Sequence, residues 1–266
     1  MTGQTTLAAG LSERDRLAFE RDGFLLLEGA LPPDRIELLT TAVDRVWWRH
    51  LGEAGEALHL LAFLGEDEAF LELLDWPVTF PIVCDLLGWN IFMYHCHLDV
   101  HPPVSGDGPT TWGWHQDGGR QNVDLDAHPR PRLSVKVAYF LSDVSEARRG
   151  NTLIIPGSHR WDVLPRPEDG LTNPEGVVPI LARPGDALVF DRRLWHSRSA
   201  NCSGITRKAL FYAYTYRWIR PRDNMPIDPT WVDRLTPARR QLLGAATGAI
   251  GYWLPSDDDV PLRGTI

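Results

Sequence analysis

From residue 88 to residue 218 the chain is a succession of short β-forming runs separated by Gly, Pro and Asp, with no helical period between them. The runs cover 90–101, 133–141, 152–155, 177–181, 187–190 and 207–218, and they are rich in Val, Ile, Phe, Tyr and Thr. Parallel strands need a long, usually helical crossover between each pair, whereas antiparallel strands close through short turns. The texture therefore predicts an antiparallel sandwich or jelly roll and excludes a parallel sheet with alternating helices.

Helical patterns flank this core. Residues 12–22 read as a helix, with Ser12 and Asp15 as a capping pair and Gly23 as its stop. A strand over 24–27 follows. Pro32 and Pro33 then open a second helix in which Ile36, Leu39, Val43 and Val46 recur at three- and four-residue spacing. A third helical region around 69–74 breaks at Pro77 and resumes over 82–87, and a last helix spans 229–243. Without an internal repeat or a long linker, a single domain is expected over 1–266. It comprises a helical part at 1–88 packed on the barrel, a jelly-roll core at 89–218, and a C-terminal helix and tail at 219–266.

Composition narrows the partners. With 43% hydrophobic and 23% charged residues the chain is an ordinary globular sequence, not a disordered one. Its formal charge is −8 and no Lys/Arg stripe could track phosphates, so nucleic acid is not an expected partner. No run reaches the ~18 apolar residues of a membrane span, and the first residues lack a basic stretch followed by an apolar one. Cys84, Cys96 and Cys202 are too scattered for a disulfide framework or a zinc knuckle. A cytoplasmic protein acting on a small molecule, as monomer or homodimer, is the expectation. Arginine outnumbers lysine heavily, only Lys136 and Lys208 being present.

Nine histidines supply the chemistry. In the segment Trp114-His115-Gln116-Asp117-Gly118-Gly119, His115 and Asp117 stand two apart, so on extended backbone both point the same way. The spacing is weak alone, since composition gives about one such pair by chance, and His97-Leu98-Asp99 repeats it. Context separates them. The first pair lies between the loop 102–111 and a double glycine, where a strand end opens into a site; the second is inside a strand. His196 follows the strand 187–190, and in a jelly roll distant strands can converge, which would complete a 2-His-1-carboxylate triad with positions open on Fe(II). Arg207 heads the last strand. A guanidinium inside an otherwise apolar barrel must meet an anion, and a dicarboxylate cosubstrate would provide it.

Three stretches together resemble the phytanoyl-CoA dioxygenase-like branch of the Fe(II)/2-oxoglutarate-dependent oxygenases. They are WHQDGG at 114–119, NTLIIPGSHRW at 151–161, and 183–210, where His196, Asn201 and Arg207 keep an H-x4-N-x5-R spacing. The resemblance extends from Asp22-Gly23-Phe24 to Gly244. It implies a double-stranded β-helix of the cupin-like jelly-roll class, mainly β with flanking α-helices, with iron held by His115, Asp117 and His196. It further implies 2-oxoglutarate bound to that iron with its C5 carboxylate on Arg207, O2 as the other reactant, and release of succinate and CO2 as a substrate C–H is oxidised. Members that halogenate have a small residue in place of Asp117, so its presence implies hydroxylation or a related oxidation. Two residues after the distal histidine, where members often carry a serine, stands Arg198, and Ser199 is a substitute. The resemblance also puts His97 and Tyr139 beside the cosubstrate.

The remaining motifs have plainer readings. His95, His97, Asp99 and His101 share one strand face, but alternate residues are ~6.6 Å apart, so no single ion can take all four; a polar cavity wall is the expectation. Pro156-Gly157-Ser158-His159 reads as a turn, and the run 257–259 as a solvated tail. Trp112 and Trp114 are candidates for the substrate pocket or for core packing, and Arg120 and Gln121 for contact with a polar substrate. Two other functions compete: a cupin-like metal enzyme without cosubstrate, which has no use for Arg207, and a jelly-roll binding module without catalysis. Desaturation, ring formation and epimerisation stay open beside hydroxylation.

Overall fold

The computed structural model describes residues 10–52, 55–105 and 112–264. Helix α1 (Glu13–Asp22) begins at Ser12, whose Oγ accepts from the Asp15 N–H at 3.1 Å and donates to the Asp15 carboxylate at 2.7 Å. It ends at Gly23 in the left-handed conformation, φ 84°. Strand β1 (Phe24–Leu27) leads to helix α2 (Pro33–Leu51), whose buried face is Leu39, Ala42, Val43 and Val46, the three- and four-residue spacing of one helical stripe. The predicted helical region near 69–74 forms as a 3-10 run, Glu68–Asp75, and α3 (Phe80–Leu87) follows. The helix expected over 229–243 is two short ones, α5 (Pro229–Val232) and α6 (Pro237–Leu242), after the single turn α4 (Gln121–Asp124). Pro237 is the reason: it has no N–H to continue a helix but suits a first turn, and Thr236 caps the new start.

The other strands are β2 (Leu58–Leu61), β3 (Ile91–His101), β4 (Ser134–Phe140), β5 (Thr152–Ile154), β6 (Val178–Pro179), β7 (Ala187–Asp191), β8 (His196–Arg198) and β9 (Arg207–Tyr216). Every pairing is antiparallel. One sheet runs β1-β7-β4-β9-β3-β2 and the other β6-β5-β8, the facing sheets of a double-stranded β-helix. Strands β2 and β8 were not expected, being too short to show a period; β2 forms by pairing with the longer β3 and β8 by pairing with β5.

Period-two alternation sorts the large sheet into two environments. Val135, Val137, Tyr139, Tyr212 and Tyr214 point to the helices and join the main core. Each buried tyrosine has a partner for its hydroxyl: Tyr139 meets Thr79 Oγ1 at 2.6 Å, Tyr212 donates to the Phe70 carbonyl and Tyr214 to the Leu74 carbonyl, both at 2.9 Å. Burying each such ring stabilises by about 1.5–3 kcal/mol, which the satisfied hydroxyl leaves intact. The opposite face carries Ala138, Phe140, Leu188, Phe190, Ala209 and Phe211 into the space between the sheets.

Cys84 and Cys96 are buried and Cys202 exposed, none in a disulfide. Ser158 and His159 behave as turn residues: Ser158 Oγ accepts from the Trp195 N–H at 3.0 Å, and His159 Nε2 donates to the Glu20 carbonyl at 3.2 Å. The reading of 257–259 as a solvated tail is corrected at Asp259. That side chain is 4% exposed and accepts from the N–H and hydroxyl groups of both Thr247 and Ser256, pinning the C-terminal segment. Among the described residues no helix is long and apolar enough to cross a membrane.

Candidate active site

Strand β8 starts at the residue that matters. His196 and His115 exchange backbone hydrogen bonds, each N–H donating to the other's carbonyl at 3.0 Å, so two residues 81 positions apart are neighbours across a bridge. Asp117 follows on the same side, its N–H donating to the Arg192 carbonyl at 2.8 Å. One donor atom from each of His115, Asp117 and His196 lies within 4.8 Å of the others.

Both imidazoles are fixed in one tautomer. His115 Nδ1 is 2.8 Å from the Gly113 carbonyl and His196 Nδ1 is 2.8 Å from the Leu194 carbonyl. A carbonyl can only accept, so each Nδ1 carries a proton and Nε2 is the ring atom left to face a metal. Backbone-anchored histidines of this kind are characteristic of metal ligands. Burial pushes His196 down to about 3, with the neighbouring His115 adding to the effect, so the ring is neutral. At Asp117 burial acts to raise the carboxyl, but Lys136 and the two histidines outweigh it and hold it well below the usual carboxylate range. Lys136 Nζ lies 2.7 Å from Asp117 Oδ2, and both side chains are at least nine-tenths buried. Two imidazole nitrogens and one carboxylate fit a divalent first-row metal with open positions.

The loop bearing Asp117 is held from behind. Arg192, fully buried, donates from NH1 to the Asp117 carbonyl at 3.1 Å and to Asn122 Oδ1 at 2.8 Å, and from Nε and NH2 to the Pro131 carbonyl. Gly118 makes room for it: at φ +115°, a Cβ there would stand 2.1 Å from Arg192 NH1. Lys136 and Arg192 were not singled out in the sequence. A lysine within a lysine-poor chain, at an inward position of β4, was the one available signal.

The triad opens onto a cavity of about 600 Å³ that also reaches His97, Asp99, Arg198, Ser199, Arg207 and Arg222. Arg207, 2% exposed, packs its stem against Gly150, where a Cβ would stand 2.9 Å from Arg207 Cδ. Asn201 ties the turn before it to β3, donating from Nδ2 to the carbonyls of His101 and Ile205 at 2.8 Å. The expectation of an otherwise apolar barrel around Arg207 is corrected: Asp99 Oδ2 lies 3.4 Å from its NH1. Among the described residues Arg207 Nε and Ser199 Oγ nonetheless find no hydrogen-bond partner.

The polar wall expected on β3 is present and gains a member, His59 from β2, whose Nδ1 is 2.6 Å from Asp99 Oδ1. Asp223 lies 2.6 Å from His95 Nδ1, His95 Nε2 is 3.2 Å from His97 Nδ1 and receives Arg222 at 3.0 Å, and the His97 ring stacks on Phe211.

Other sequence candidates stand elsewhere. Tyr139 is corrected as a cosubstrate neighbour: alternation on β4 turns it to the helix side, while Lys136 and Ala138 face the cavity side. Trp114 is buried with Leu153 and Ile155 and donates to Asn173 Oδ1 at 3.1 Å; Trp112 packs on the same cluster under Arg166. Neither lines the cavity. Arg120 is ion-paired to Asp124 at 2.7 Å and exposed, and Gln121 begins α4 outside the cavity. Residues 106–111 of the loop before the triad lie outside the described residues.

The family profile described as "Phytanoyl-CoA dioxygenase (PhyH)" matches residues 19–209, a span that includes the triad and Arg207. The chain belongs to the phytanoyl-CoA dioxygenase family of Fe(II)/2-oxoglutarate-dependent oxygenases. Fe(II), 2-oxoglutarate and O2 are the reactants of this family, and the His115, Asp117 and His196 donors suit the metal. Relatives include the dioxygenase af480 of Aspergillus fumigatus, 27% identical over 194 residues, covering 72% of this chain and 59% of that one. An ectoine dioxygenase of Sphingopyxis alaskensis is 23% identical over 239 residues, covering 77% and 76%. The chain thus spans a little over half of the first relative and about three-quarters of the second. Among solved structures, HygX from Streptomyces hygroscopicus, with nickel and 2-oxoglutarate bound, superposes with a TM-score of 0.65 at 15% identity, covering 83% of this chain and 97% of that one. SnoK, a carbocyclase from nogalamycin biosynthesis, gives 0.61 at 18%, covering 85% and 91%. At such identities the likeness is one of fold.

Proposed function

We propose that this phytanoyl-CoA dioxygenase family protein acts as one catalytic domain, in the cytoplasm, to hydroxylate or otherwise oxidise an unactivated C–H of a small molecule in a biosynthetic tailoring step. The observation that carries the reading is the pair of Nδ1-anchored histidines meeting Asp117 in the cavity that also holds Arg207. In this reading His115 Nε2, His196 Nε2 and the Asp117 carboxylate hold iron, and Arg207 with Ser199 receives the far carboxylate of 2-oxoglutarate. Iron with 2-oxoglutarate and O2 supplies the oxidising power for a C–H bond and yields succinate and CO2. The chain's own residues prepare for it. Lys136 keeps Asp117 ionised and aimed, the Gly113 and Leu194 carbonyls keep both imidazole lone pairs turned inward, and Phe190 and Phe211 give the cavity apolar walls.

SnoK and SnoN of nogalamycin biosynthesis are named carbocyclase and epimerase, which supports a tailoring role and widens the outcome beyond hydroxylation. The test is incubation with Fe(II), ascorbate and 2-oxoglutarate, reading succinate, beside an anaerobic titration reading visible charge-transfer absorption. The absorption is expected in the parent and absent in Asp117→Ala. A parent that binds Fe(II) and gives no band with 2-oxoglutarate would sink the reading.

A further inference from the structure

The charge balance around Arg207 leaves an unexpected requirement. Arg207 is fully buried, and its guanidinium already faces a protein carboxylate, Asp99 Oδ2 at 3.4 Å. That carboxylate is itself 8% exposed at its side chain and is held in place by His59 at 2.6 Å, with His101 Nε2 at 3.5 Å. Burial acts to raise Asp99, but the hydrogen bonds of His101 and His59 and the charges around it hold it well below the usual carboxylate range, so it is an anion. Arg207 and Asp99 together are therefore neutral. A second carboxylate arriving at Arg207 would meet no net positive charge and a like charge a few ångströms away, an arrangement that disfavours binding in a buried site.

One cation near this end of the cavity is not neutralised. Arg198, the residue by which the chain departs from the serine common at this position, lines the same cavity from β8, two residues after His196 and therefore on the same strand face. Its NH1 stands against His101 Nε2, on a ring that burial pushes towards the neutral form. Among the described residues Arg198 makes no ion pair; the Asp99 charge acts on it, but Asp99 is paired with Arg207 at 3.4 Å. Beside it Ser199 Oγ and Arg207 Nε are buried donors with no hydrogen-bond partner among the described residues. The end of the cavity is thus Arg207, Arg198 and Asp99, a net charge of one positive, with two free donors.

We propose that Arg198 is a specificity-determining residue that supplies the free positive charge for the distal carboxylate of the cosubstrate, because Asp99 has already neutralised Arg207. Asp99 then acts as a resident competitor for Arg207, and Arg198 offsets it. This rests on the 2-oxoglutarate reading above.

The experiment is anaerobic titration of the Fe(II)-loaded full chain with 2-oxoglutarate, following the charge-transfer band, for the parent, Arg198→Ser, Arg198→Lys, Asp99→Asn and the Arg198→Ser/Asp99→Asn pair. Arg198→Ser is expected to raise the dissociation constant at least tenfold and Arg198→Lys by less than Arg198→Ser. Asp99→Asn is expected to tighten binding severalfold, and the double variant to return to within about threefold of the parent. A parallel titration with 2-oxobutyrate, which lacks a distal carboxylate, is expected to give the same constant for parent and Arg198→Ser. If Arg198→Ser stays within twofold of the parent for 2-oxoglutarate, or weakens both oxo acids equally, the assignment is overturned while the dioxygenase reading stands. A parent without any band removes both. Thermal melts of each variant identify one that has lost its fold, and the Arg198→Lys and 2-oxobutyrate measurements stand without Asp99→Asn.

Discussion

The chain contains the pattern His-x-Asp at two places that line one cavity, and the two pairs have opposite surroundings. At His115 and Asp117, with His196 beside them, each imidazole Nδ1 is spent on a backbone carbonyl, and the carboxylate has a lysine behind it. The lone pairs face a common point. At His97 and Asp99 the partners are side chains: His97 leans on His95, and Asp99 on His59 and Arg207. His59, His97 and Asp99 also bring donor atoms within 4.8 Å of one another, yet the Arg207 charge beside Asp99 opposes a second cation there. Identical residue pairs are thus sorted by what lies behind them, backbone in one case and a charged network in the other.

The sharpest way to break this contrast is to remove one carboxylate from each pair. Asp117→Ala is expected to lower succinate formation at least ~100-fold and to abolish the Fe(II)/2-oxoglutarate band, whereas Asp99→Ala is expected to keep metal binding measurable by Co(II) absorption. Equal loss of metal in both variants would erase the distinction. Next in size is the support of the metal loop. Arg192→Ala takes away four hydrogen bonds, two of them on the Pro131 carbonyl and one on the Asp117 carbonyl, so metal affinity is expected to fall about 10–100-fold and the melting temperature by several degrees. Gly118→Ala is expected to approach the same result, since its Cβ collides with the guanidinium; isothermal titration with Ni(II) and a thermal melt read both.

A smaller effect comes from protons. Asp191 is fully buried between Arg132 at 2.7 Å and Arg193 at 2.6 Å. Burial acts to raise its carboxyl, but the two arginines hold it below the usual range. Its folded value being depressed, the stability it contributes is complete above the unfolded carboxylate value of about 4 and is lost as pH falls through the folded one. Urea midpoints should therefore decline below about pH 4 in the parent and decline less steeply in Asp191→Asn. The smallest expected change is at Trp114→Phe. It removes one hydrogen bond to Asn173 outside the cavity, costs about 1 kcal/mol of stability, and leaves the 2-oxoglutarate affinity unaltered.

The convergence of His115, Asp117 and His196 was legible because the metal ligation proposed for them admits few residue types and places them at strand ends, where these three stand. Arg207 was legible for the same reason, as a charge at the head of a long apolar strand, but its resident partner was not. Asp99 is 108 positions away, and only the β3–β9 register brings the two side by side. Tyr139 failed through parity: one residue along β4 separates the helix face from the cavity face. Lys136 was passed over because a lysine in a strand pattern ordinarily marks solvent, and here it is 4% exposed. The C-terminal helix was overextended because the apolar spacing continues through Pro237 although the backbone cannot.

Lys136 has one more implication. A buried carboxylate meant for a cation would destabilise the empty protein if it stood alone, and the ammonium 2.7 Å away lends it a counter-charge before any iron arrives. If Asp117 holds a metal as proposed, that counter-charge lets the chain fold before the metal is bound.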